Sequence, residues 1–458
     1  QKRSSVIAYT PEGLAADGPA VQELAQAEGL WAHALSVGLR RRLLEGGGQN
    51  FADVTTACED AMSAAWPRKL DVPAPVLLPG FVGAGPDDLR STGGDGMAAI
   101  DDALRSALRP SAAALEPYDP AFAPVRINLS ANENGLGLPP GVAAELGQAL
   151  ARTATNRYPR PLSDELRQEI ALWHGVAPER VCVGNGGDEL LFNLFVAFGG
   201  AGRTLVDCPP SFSVYRLYAE LAETEVVDVP RDPADFSLDE AALVDAARGA
   251  SVVVVTSPNN PTGNLARPGL VRELCGACPG LVLADEAYME FADAGQSSEP
   301  LLGEFDNLVV LHTFSKAFAL AGARVGYALA SPGVVAALNA VRQPYSVNVL
   351  SQAATLVCVR RRDEFAPSVE LIRRERARVL DGLRRLAGRG VEVWPSQGNF
   401  LLLRVPDAHG LWERLKDERS ILVRDFSRAP GLAGCLRVTV GTPKENDAFL
   451  QAMGELLP

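Results

Sequence analysis

A lysine and an aspartate stand where two apolar segments of this 458-residue chain end. Lys316 comes soon after the run Leu308 to Leu311, and Asp285 directly follows the run Leu281 to Ala284. Short apolar runs of this kind are typical of strands that are buried in a sheet. Burying the charge of a lysine is costly, but its amine can form a Schiff base with a carbonyl compound. The residue types therefore indicate carbonyl–amine chemistry at the end of a buried strand.

A glycine-containing turn offers a second site for chemistry. The sequence Asn-Gly-Gly-Asp-Glu at 185–189 lies between a predicted strand at Val181 to Gly184 and a predicted helix at Leu190 to Phe198. Glycine lets the backbone approach an anion closely, and the first turn of a helix presents unpaired N–H groups to it. Such a turn often serves only to cap the helix, so the pattern is weak evidence by itself.

Three strings in a fixed order carry a resemblance to a known family. They are Ser-Pro-Asn-Asn-Pro-Thr-Gly at 257–263, Asp-Glu-Ala-Tyr at 285–288 and Ser-Lys-Ala-Phe-Ala-Leu-Ala-Gly-Ala-Arg-Val-Gly at 315–326. With the turn at 185–189, they make the chain resemble the fold-type-I aminotransferases of class I/II, which depend on pyridoxal 5'-phosphate (PLP). The histidinol-phosphate aminotransferase branch is the most similar, and the resemblance runs from about Arg126 to Leu457. It implies that PLP is the cofactor.

The resemblance assigns the ring chemistry to four residues. Lys316 is expected to hold PLP as an aldimine and, once substrate frees it, to act as the general base at the α-carbon. Asp285 is expected to pair with the pyridinium nitrogen, which keeps the ring able to withdraw electrons and so to stabilise a quinonoid. Asn260 and Tyr288 should bond the phenolic oxygen of PLP. Lys316, Asp285 and Tyr288 are the expected catalytic residues.

The resemblance also predicts a phosphate cup that two subunits share. In the string Asn-Arg-Tyr-Pro at 156–159, the family tyrosine bonds the phosphate of the other subunit, so Tyr158 implies a homodimer with two-fold symmetry. The alternative is that Tyr158 is a packed turn residue ahead of Pro159. The other residues expected at the phosphate are Gly187, Asp188 and Glu189 through their backbone amides, and Ser315 and Arg324 through their side chains. Thr313 is also expected to bind the cofactor.

Two positions depart from the family pattern. Phe212 stands where a tyrosine usually stacks on the pyridine ring, so the flat apolar contact is kept and a hydroxyl is lost. Gly135 replaces the proline that usually ends the Asn-Glu-Asn-Pro string of the N-terminal arm. Both departures favour a specialised member of the family.

Three residues in the C-terminal part are expected at the substrate. Asn348 belongs to a Pro-Tyr-x-Val-Asn segment that lies beside the substrate in the family. Arg437 and Arg424 match two family arginines that pair with substrate carboxylate or phosphate groups, for which a bidentate fork is suited. The alternative for Arg424 is an exposed charge at a strand end. The arginines of the predicted helical region 350–386 are interpreted as a solvated helix face.

The implied architecture is an α/β fold with two parts. A large domain carries PLP on a mostly parallel, seven-stranded sheet, and a small α/β domain is built from the C-terminal third and part of the arm. We place a helical extension at residues 1–120, the arm and large domain at 121–345, and the linking helix and small domain at 346–458.

The composition excludes several other classes of protein. The net charge of -13 argues against broad affinity for nucleic acid, which needs a basic face. Without a long apolar run or a signal-peptide pattern, no membrane association is expected and a cytoplasmic enzyme is the simplest class. Cys275 and Cys278 form a CxxC, but no second CxxC completes a zinc site, so no metal is expected.

The first 120 residues have no counterpart in the resemblance. Helices are predicted at 20–44, 51–66 and 97–108. A DNA-binding head is disfavoured because residues 1–120 hold 10 Lys/Arg against 16 Asp/Glu. A relic of a carrier protein is suggested by the segment 93–100, although Gly96 stands where the modified serine belongs. A helical cap on the catalytic domain or on the dimer mate is the preferred interpretation.

Two enzymatic functions remain open. The first is transamination of an amino acid or amine that carries a distal anion, as in histidinol phosphate. The second is a specialised reaction of secondary metabolism that uses the same carbanion for decarboxylation, elimination, replacement or carbon–carbon bond formation. A ligand sensor on the same scaffold is disfavoured because Lys316 is present. The sequence does not name the substrate.

Overall fold

The computed structural model describes residues 107–113 and 123–458. The helices predicted at 20–44, 51–66 and 97–108 lie outside the described residues, apart from the last two positions of the third. A short helix at Pro110–Ala113 follows Arg109, whose guanidinium forms an ion pair with Glu223 at 2.8 Å. None of the helices within the described ranges is both long and apolar enough to cross a membrane.

A seven-stranded sheet forms the centre of the larger part of the structure. Its strand order is β2-β8-β7-β6-β5-β3-β4, and β8 runs antiparallel to both of its neighbours, whereas the remaining pairs are parallel. This confirms the mostly parallel seven-stranded sheet. The strands are β2 (Val181–Gly184), β3 (Thr204–Asp207), β4 (Glu225–Asp228), β5 (Val252–Thr256), β6 (Leu281–Asp285), β7 (Leu308–Thr313) and β8 (Gly326–Ala330).

Helices cover both faces of this sheet, which explains why β5, β6 and β7 are buried at every position. One face packs against α3 (Gly186–Phe198), α4 (Val214–Leu221) and α7 (Pro332–Val341). The opposite face packs against α1 (Pro140–Arg152), α2 (Asp164–His174), α5 (Glu240–Ala247), α6 (Pro268–Ala277) and α8 (Val349–Arg360).

A second, separate sheet has five strands in the order β1-β11-β12-β10-β9. Its first strand comes from the arm and pairs in parallel with β11, as expected for an arm that joins the C-terminal part. The domain boundaries at 120 and 345 stay predictions. The strands are β1 (Ile127–Leu129), β9 (Glu392–Val393), β10 (Phe400–Arg404), β11 (Ile421–Asp425) and β12 (Cys435–Thr439), and the helices are α9 (Ala366–Arg384), α10 (Ala408–Arg419) and α11 (Pro443–Leu456).

The arginines of α8 and α9 are more engaged than a solvated face implies. Arg360 pairs with Glu165 and Glu169 of α2 at 3.0 and 2.8 Å. Arg376 is half-buried and donates to the backbone carbonyls of Phe291 and Gly398. These arginines therefore connect helices to their neighbours, because a guanidinium can satisfy several acceptors at once.

Candidate active site

A cavity of about 830 Å³ lies at the carboxyl ends of the parallel strands. Thr256, Asp285 and Thr313, which end β5, β6 and β7, line it from below. The arm contributes residues 130–133, and the small sheet contributes residues of β11 and β12. Ligands of open α/β sheets bind at this edge, where loops after successive strands meet.

Twelve of the fifteen predicted site residues line this cavity, and three do not. Those outside its lining are Tyr158, Glu189 and Asn348. The residues brought together are Gly187, Asp188, Phe212, Asn260, Asp285, Tyr288, Thr313, Ser315, Lys316, Arg324, Arg424 and Arg437.

Lys316 is half-buried, and its amine donates a hydrogen bond to the carbonyl of Ala131 in the arm, at 3.0 Å. Burial, and secondly the positive charge of Arg437, lower the pKa of Lys316 to about 8. At pH 7 about a tenth of this amine is therefore uncharged, far more than at the ordinary pKa of a lysine. An uncharged amine is the form that attacks a carbonyl carbon.

Asp285 is buried at the end of β6 and accepts two hydrogen bonds. The hydroxyl of Tyr215 donates to its Oδ2 at 2.6 Å, and the backbone N–H of Ala287 donates to its Oδ1 at 3.1 Å. Burial raises the pKa of Asp285, whereas both donors oppose that rise. The hydroxyl of Thr256 donates in turn to that of Tyr215, at 2.9 Å. The site therefore holds a carboxylate that a cationic partner would stabilise.

Tyr215 lines the cavity and contacts Asp285, although the sequence analysis did not assign it to the site. It is fully buried on α4, three positions after Phe212. The signal was present, since Tyr215 is the second aromatic residue of the segment that contains Phe212. Phe212 itself is half-buried, lines the cavity and meets the Tyr215 ring edge to face, with 5.6 Å between the ring centroids.

The residues predicted to hold the phosphate lie together at the start of α3. Arg324 has a left-handed backbone, with φ of 54°, and its guanidinium reaches Asp188 Oδ2 at 2.8 Å and Ser315 Oγ at 3.5 Å. Gly186 has φ of 80°, and a Cβ there would lie 2.6 Å from Arg324 Nη2. The positive φ favours glycine at this position, and the lack of a Cβ leaves room for the guanidinium beside the helix start. Thr313 and Ser315 join the cup through a hydroxyl–hydroxyl contact of 3.0 Å.

Arg437 and Arg424 lie opposite each other on β12 and β11 and both line the cavity. The buried guanidinium of Arg437 donates to Asn260 Oδ1 and to the carbonyl of Ser130. Arg424 is half-buried, and its guanidinium lies 6.0 Å from the ring centroid of Phe426. Two positive side chains thus face the cavity that holds Lys316.

The three residues outside the cavity have other surroundings. Tyr158 is 82% exposed and stacks on Tyr345, with 4.6 Å between the ring centroids. Asn348 is the N-cap of α8 and accepts from the backbone N–H of Ser351 at 2.9 Å. Glu189 accepts from the backbone N–H of Asn185 through its carboxylate. Their predicted roles at cofactor and substrate stay predictions.

A buried ion-pair network adjoins the cavity, whose lining includes His312. Glu299 forms ion pairs with His312 at 3.0 Å and His174 at 2.7 Å. Although burial lowers it, the pKa of His312 is raised to about 9 by the carboxylates around it, Glu299 above all. Within the described residues, His312, Glu286 and Glu299 bring three candidate metal-ligating atoms within 4.8 Å. The carboxylate oxygens of Glu286 already accept hydrogen bonds from the hydroxyl of Ser297 and the backbone N–H of Ser298. We therefore interpret the cluster as an ion-pair network.

The predicted CxxC offers no open site. Cys275 lies in α6 and Cys278 caps its end, and both side chains are buried. Burial raises the pKa of both thiols, that of Cys275 to about 12. These thiols remain protonated near neutral pH and are poorly suited to bind a metal or to react.

Comparison with known proteins places this arrangement in a family. Residues 124–453 match the family model "Aminotransferase class I and II". A histidinol-phosphate aminotransferase from Thermococcus gammatolerans is 43% identical over 342 residues, which cover 74% of this chain and 95% of that protein. The chain therefore belongs to the class I and II aminotransferases, and it is a PLP-dependent transferase of fold type I.

Two solved structures resemble the fold described above. The histidinol-phosphate aminotransferase from Sinorhizobium meliloti in complex with pyridoxal-5'-phosphate has a TM-score of 0.70 and 27% sequence identity, covering 76% of this chain and 97% of that one. The L-threonine-O-3-phosphate decarboxylase from Porphyromonas gingivalis has a TM-score of 0.63 and 27% identity, covering 72% and 98%. Each likeness extends over about three-quarters of this chain and nearly the whole of the other protein.

The residues of the cavity fit PLP. Three features suit the aldehyde, the ring nitrogen and the phosphate: a lysine amine of lowered pKa, a buried carboxylate that accepts from Tyr215 and from the backbone of Ala287, and a glycine-containing turn at a helix N-terminus. The donor set matches all three functional groups of the cofactor.

Proposed function

We propose that this chain transfers the amino group of an amino acid or amine that carries a distal anion, a class to which histidinol phosphate belongs. The pairing of Arg424 with Arg437 across β11 and β12 is the observation that carries the proposal. Residues opposite each other in an antiparallel pair point to the same face, and both of these line the cavity. Two guanidinium forks suit the two carboxylates of glutamate and also suit a phosphate.

The two arginines take different parts in this proposal. Arg437 is buried next to Asn260 and influences the pKa of Lys316, so it lies on the reacting side of the cavity. Arg424 is less buried than Arg437, and this greater exposure favours a contact with the distal part of a substrate. We assign the anion nearer the amino group to Arg437 and the distal anion to Arg424. Asn348 is retained as a more distant substrate contact.

The chain's own groups perform the proton chemistry. PLP, when bound, supplies an electron-withdrawing ring that makes the α-proton of the substrate acidic. Lys316 Nζ removes and returns that proton, because its lowered pKa leaves it uncharged often enough to act as a base. Asp285 holds the ring nitrogen in its protonated form, and Asn260 and Tyr288 bond the phenolic oxygen. Phe212 supplies the apolar contact to the ring face.

The phosphate is assigned to the helix start and the adjoining side chains. The backbone amides of Gly187, Asp188 and Glu189 belong to the first turn of α3, where N–H groups lack helical partners. Thr313, Ser315 and Arg324 supply hydroxyls and a charged fork at the same place. This arrangement fixes one end of the cofactor while its other end reacts.

We further propose a homodimer in which Tyr158 reaches the phosphate of the other subunit. Tyr158 is highly exposed, and its stacking partner Tyr345 and the nearby Leu350 are also exposed, at 41% and 42%. A second copy that covers this apolar surface would remove it from water. A cytoplasmic location and a place in secondary metabolism complete the proposal.

Donor specificity tests the proposal. The purified enzyme is incubated with 2-oxoglutarate and a panel of donors, and glutamate formation is measured. Histidinol phosphate should react with a much lower KM than histidinol, which lacks the phosphate. Arg424→Gln should raise the KM for histidinol phosphate by about 10- to 150-fold, which corresponds to the loss of one charge-assisted hydrogen bond, and leave the KM for histidinol unchanged.

A matched control is Arg404→Gln on β10. Arg404 pairs with Glu392 at 2.7 Å outside the cavity, so this change should leave both KM values as they are. Equal KM values for histidinol phosphate and histidinol in the unmodified enzyme would contradict the distal-anion assignment.

A second function is favoured by the similarity to a decarboxylase of a phosphorylated amino acid. In this second function, the substrate would bind to the same two arginines. It would lose its carboxylate as carbon dioxide, and its amino group would not be transferred. Phosphorylated amino acids, L-threonine O-3-phosphate among them, belong in the donor panel for this reason. Release of carbon dioxide without glutamate formation would select this function, or a related one, over transamination.

A further inference from the structure

A buried asparagine of the arm contacts the tyrosine that lines the cavity. Asn132 is 1% exposed and has a left-handed backbone, with φ of 55°, a conformation that asparagine tolerates better than most residues. Its side-chain Nδ2 donates to the hydroxyl oxygen of Tyr288 at 3.0 Å. The two residues lie far apart in the sequence, so the tertiary structure brings them into contact.

Thr439 fixes which end of the Asn132 amide faces Tyr288. The backbone N–H of Asn132 donates to Thr439 Oγ1 at 2.9 Å, so the proton of the threonine hydroxyl must point elsewhere. Asn132 Oδ1 lies 3.2 Å from that hydroxyl and accepts its proton. With the amide oxygen engaged by Thr439, the NH₂ group is the one that faces Tyr288.

The backbone around Asn132 is held from both sides, so the amide cannot easily turn away. The side chain of Asn399, next to β10, donates to the carbonyl of Asn132 at 3.0 Å. The guanidinium of Arg437 donates to the carbonyl of Ser130 two residues earlier. The position of the amide is therefore set by residues of the small sheet and its neighbours, whereas Tyr288 follows β6 of the large sheet.

This geometry has a consequence for the single proton of the Tyr288 hydroxyl. A hydroxyl whose oxygen accepts from Asn132 keeps its own proton for another acceptor. Among the described residues, the bond from Asn132 is the hydrogen bond that this hydroxyl makes, and Tyr288 lines the cavity beside Lys316. We propose that Asn132 is a positioning residue that aims the hydroxyl proton of Tyr288 into the cavity, toward the phenolic oxygen of the cofactor.

The proposal rests on the role given above to Tyr288, and its test needs no substrate. A hydrogen-bond donor to the phenolic oxygen stabilises this oxygen in its negatively charged form. The donor therefore favours loss of the proton that the oxygen shares with the nitrogen of Lys316, and without the donor that proton should leave at a higher pH. The readout is the pH midpoint of the change in visible absorption of the cofactor-loaded protein, which does not depend on the substrate assignment.

Two substitutions separate the effect from a loss of folding. Asn132→Gly keeps the left-handed backbone and removes the amide, and it should raise the midpoint by about one pH unit, the value of one hydrogen bond. Asn132→Asp places an acceptor opposite Tyr288 and draws the proton away from the cavity, so it should raise the midpoint further. Thermal unfolding of each variant verifies that it is folded.

The matched control is Asn134→Ala, two residues along the arm. Asn134 donates to the carbonyl of Ala317 at 3.1 Å and is also buried, but it does not contact Tyr288. Its loss should weaken the arm and leave the midpoint within a few tenths of a unit.

A double-mutant cycle decides whether Asn132 acts through Tyr288. In a Tyr288→Phe background, Asn132→Gly should produce no further shift. A shift of the same size in both backgrounds would overturn the proposal, as would a folded Asn132→Gly protein whose midpoint equals that of the unmodified protein.

Discussion

Removing the hydroxyl of Tyr215 tests how the site keeps Asp285 ionised. In Tyr215→Phe, the carboxylate loses a donor at 2.6 Å and retains the backbone N–H of Ala287. Burial already raises the pKa of Asp285, and the lost donor is one of the groups that oppose this rise. The substitution removes one oxygen atom and leaves the ring of a fully buried side chain in place.

The magnitude follows from the kind of hydrogen bond that is lost. A hydrogen bond to a charged group contributes about 1.5–3 kcal/mol, which corresponds to about 10- to 150-fold weaker binding of PLP if the ring nitrogen needs the ionised carboxylate. Binding should weaken on acidification, because protonation removes the negative charge. The midpoint of that loss should lie about 1–2 pH units higher in the variant, since its Asp285 takes up a proton more readily.

The assay is titration of the cofactor-free protein with PLP across a range of pH, followed by quenching of protein fluorescence. Tyr218→Phe is the matched control. Tyr218 lies on the same helix, is half-buried and does not line the cavity, so its loss should change neither the Kd nor its pH dependence. A Tyr215→Phe protein with the Kd and the pH dependence of the unmodified protein would refute the reasoning.

Three further predictions concern Lys316 and Tyr158. Borohydride reduction of the loaded protein should attach the cofactor to Lys316, as mapped by mass spectrometry, and Lys316→Ala should abolish the adduct; an adduct at Lys416 would contradict the assignment. The rate of PLP uptake by the cofactor-free protein should rise with pH around a midpoint near 8, because the uncharged amine reacts and the pKa is lowered to about 8; a midpoint near 10.5, the ordinary value, would show that burial has no such effect. Tyr158→Phe should weaken PLP binding about 3- to 10-fold by removing one hydrogen bond to the phosphate, whereas Tyr345→Phe should not; equal affinities, or a monomer in sedimentation experiments, would count against the shared site.

The sequence alone determined the parallel strands and the residues that end them. The runs at 252–256, 281–284 and 308–311 are apolar and short because both faces of the sheet are covered by helices, so their burial could be read locally. The order of the family strings then placed Asp285 and Lys316 at strand ends. The structure lengthens β7 to Thr313 and brings both residues to one cavity.

Contacts between distant segments were decided only by the tertiary structure. Tyr215 reaches Asp285 over 70 positions and Asn132 reaches Tyr288 over 156, and neither pairing follows a local period of helix or strand. The side chain of Asn348 caps α8, a contact that its family string did not indicate, and its predicted substrate contact stays a prediction.

The physical reason is the range over which each pattern acts. Apolar spacing and glycine turns specify strands, helices and their ends, because these depend on neighbouring residues. Hydrogen bonds within a buried site depend on how two sheets, an arm and several loops come together, and a displacement of about 1 Å makes or breaks them. The sequence therefore determined which residues can carry the chemistry, and the packing of the two sheets decided which groups orient them.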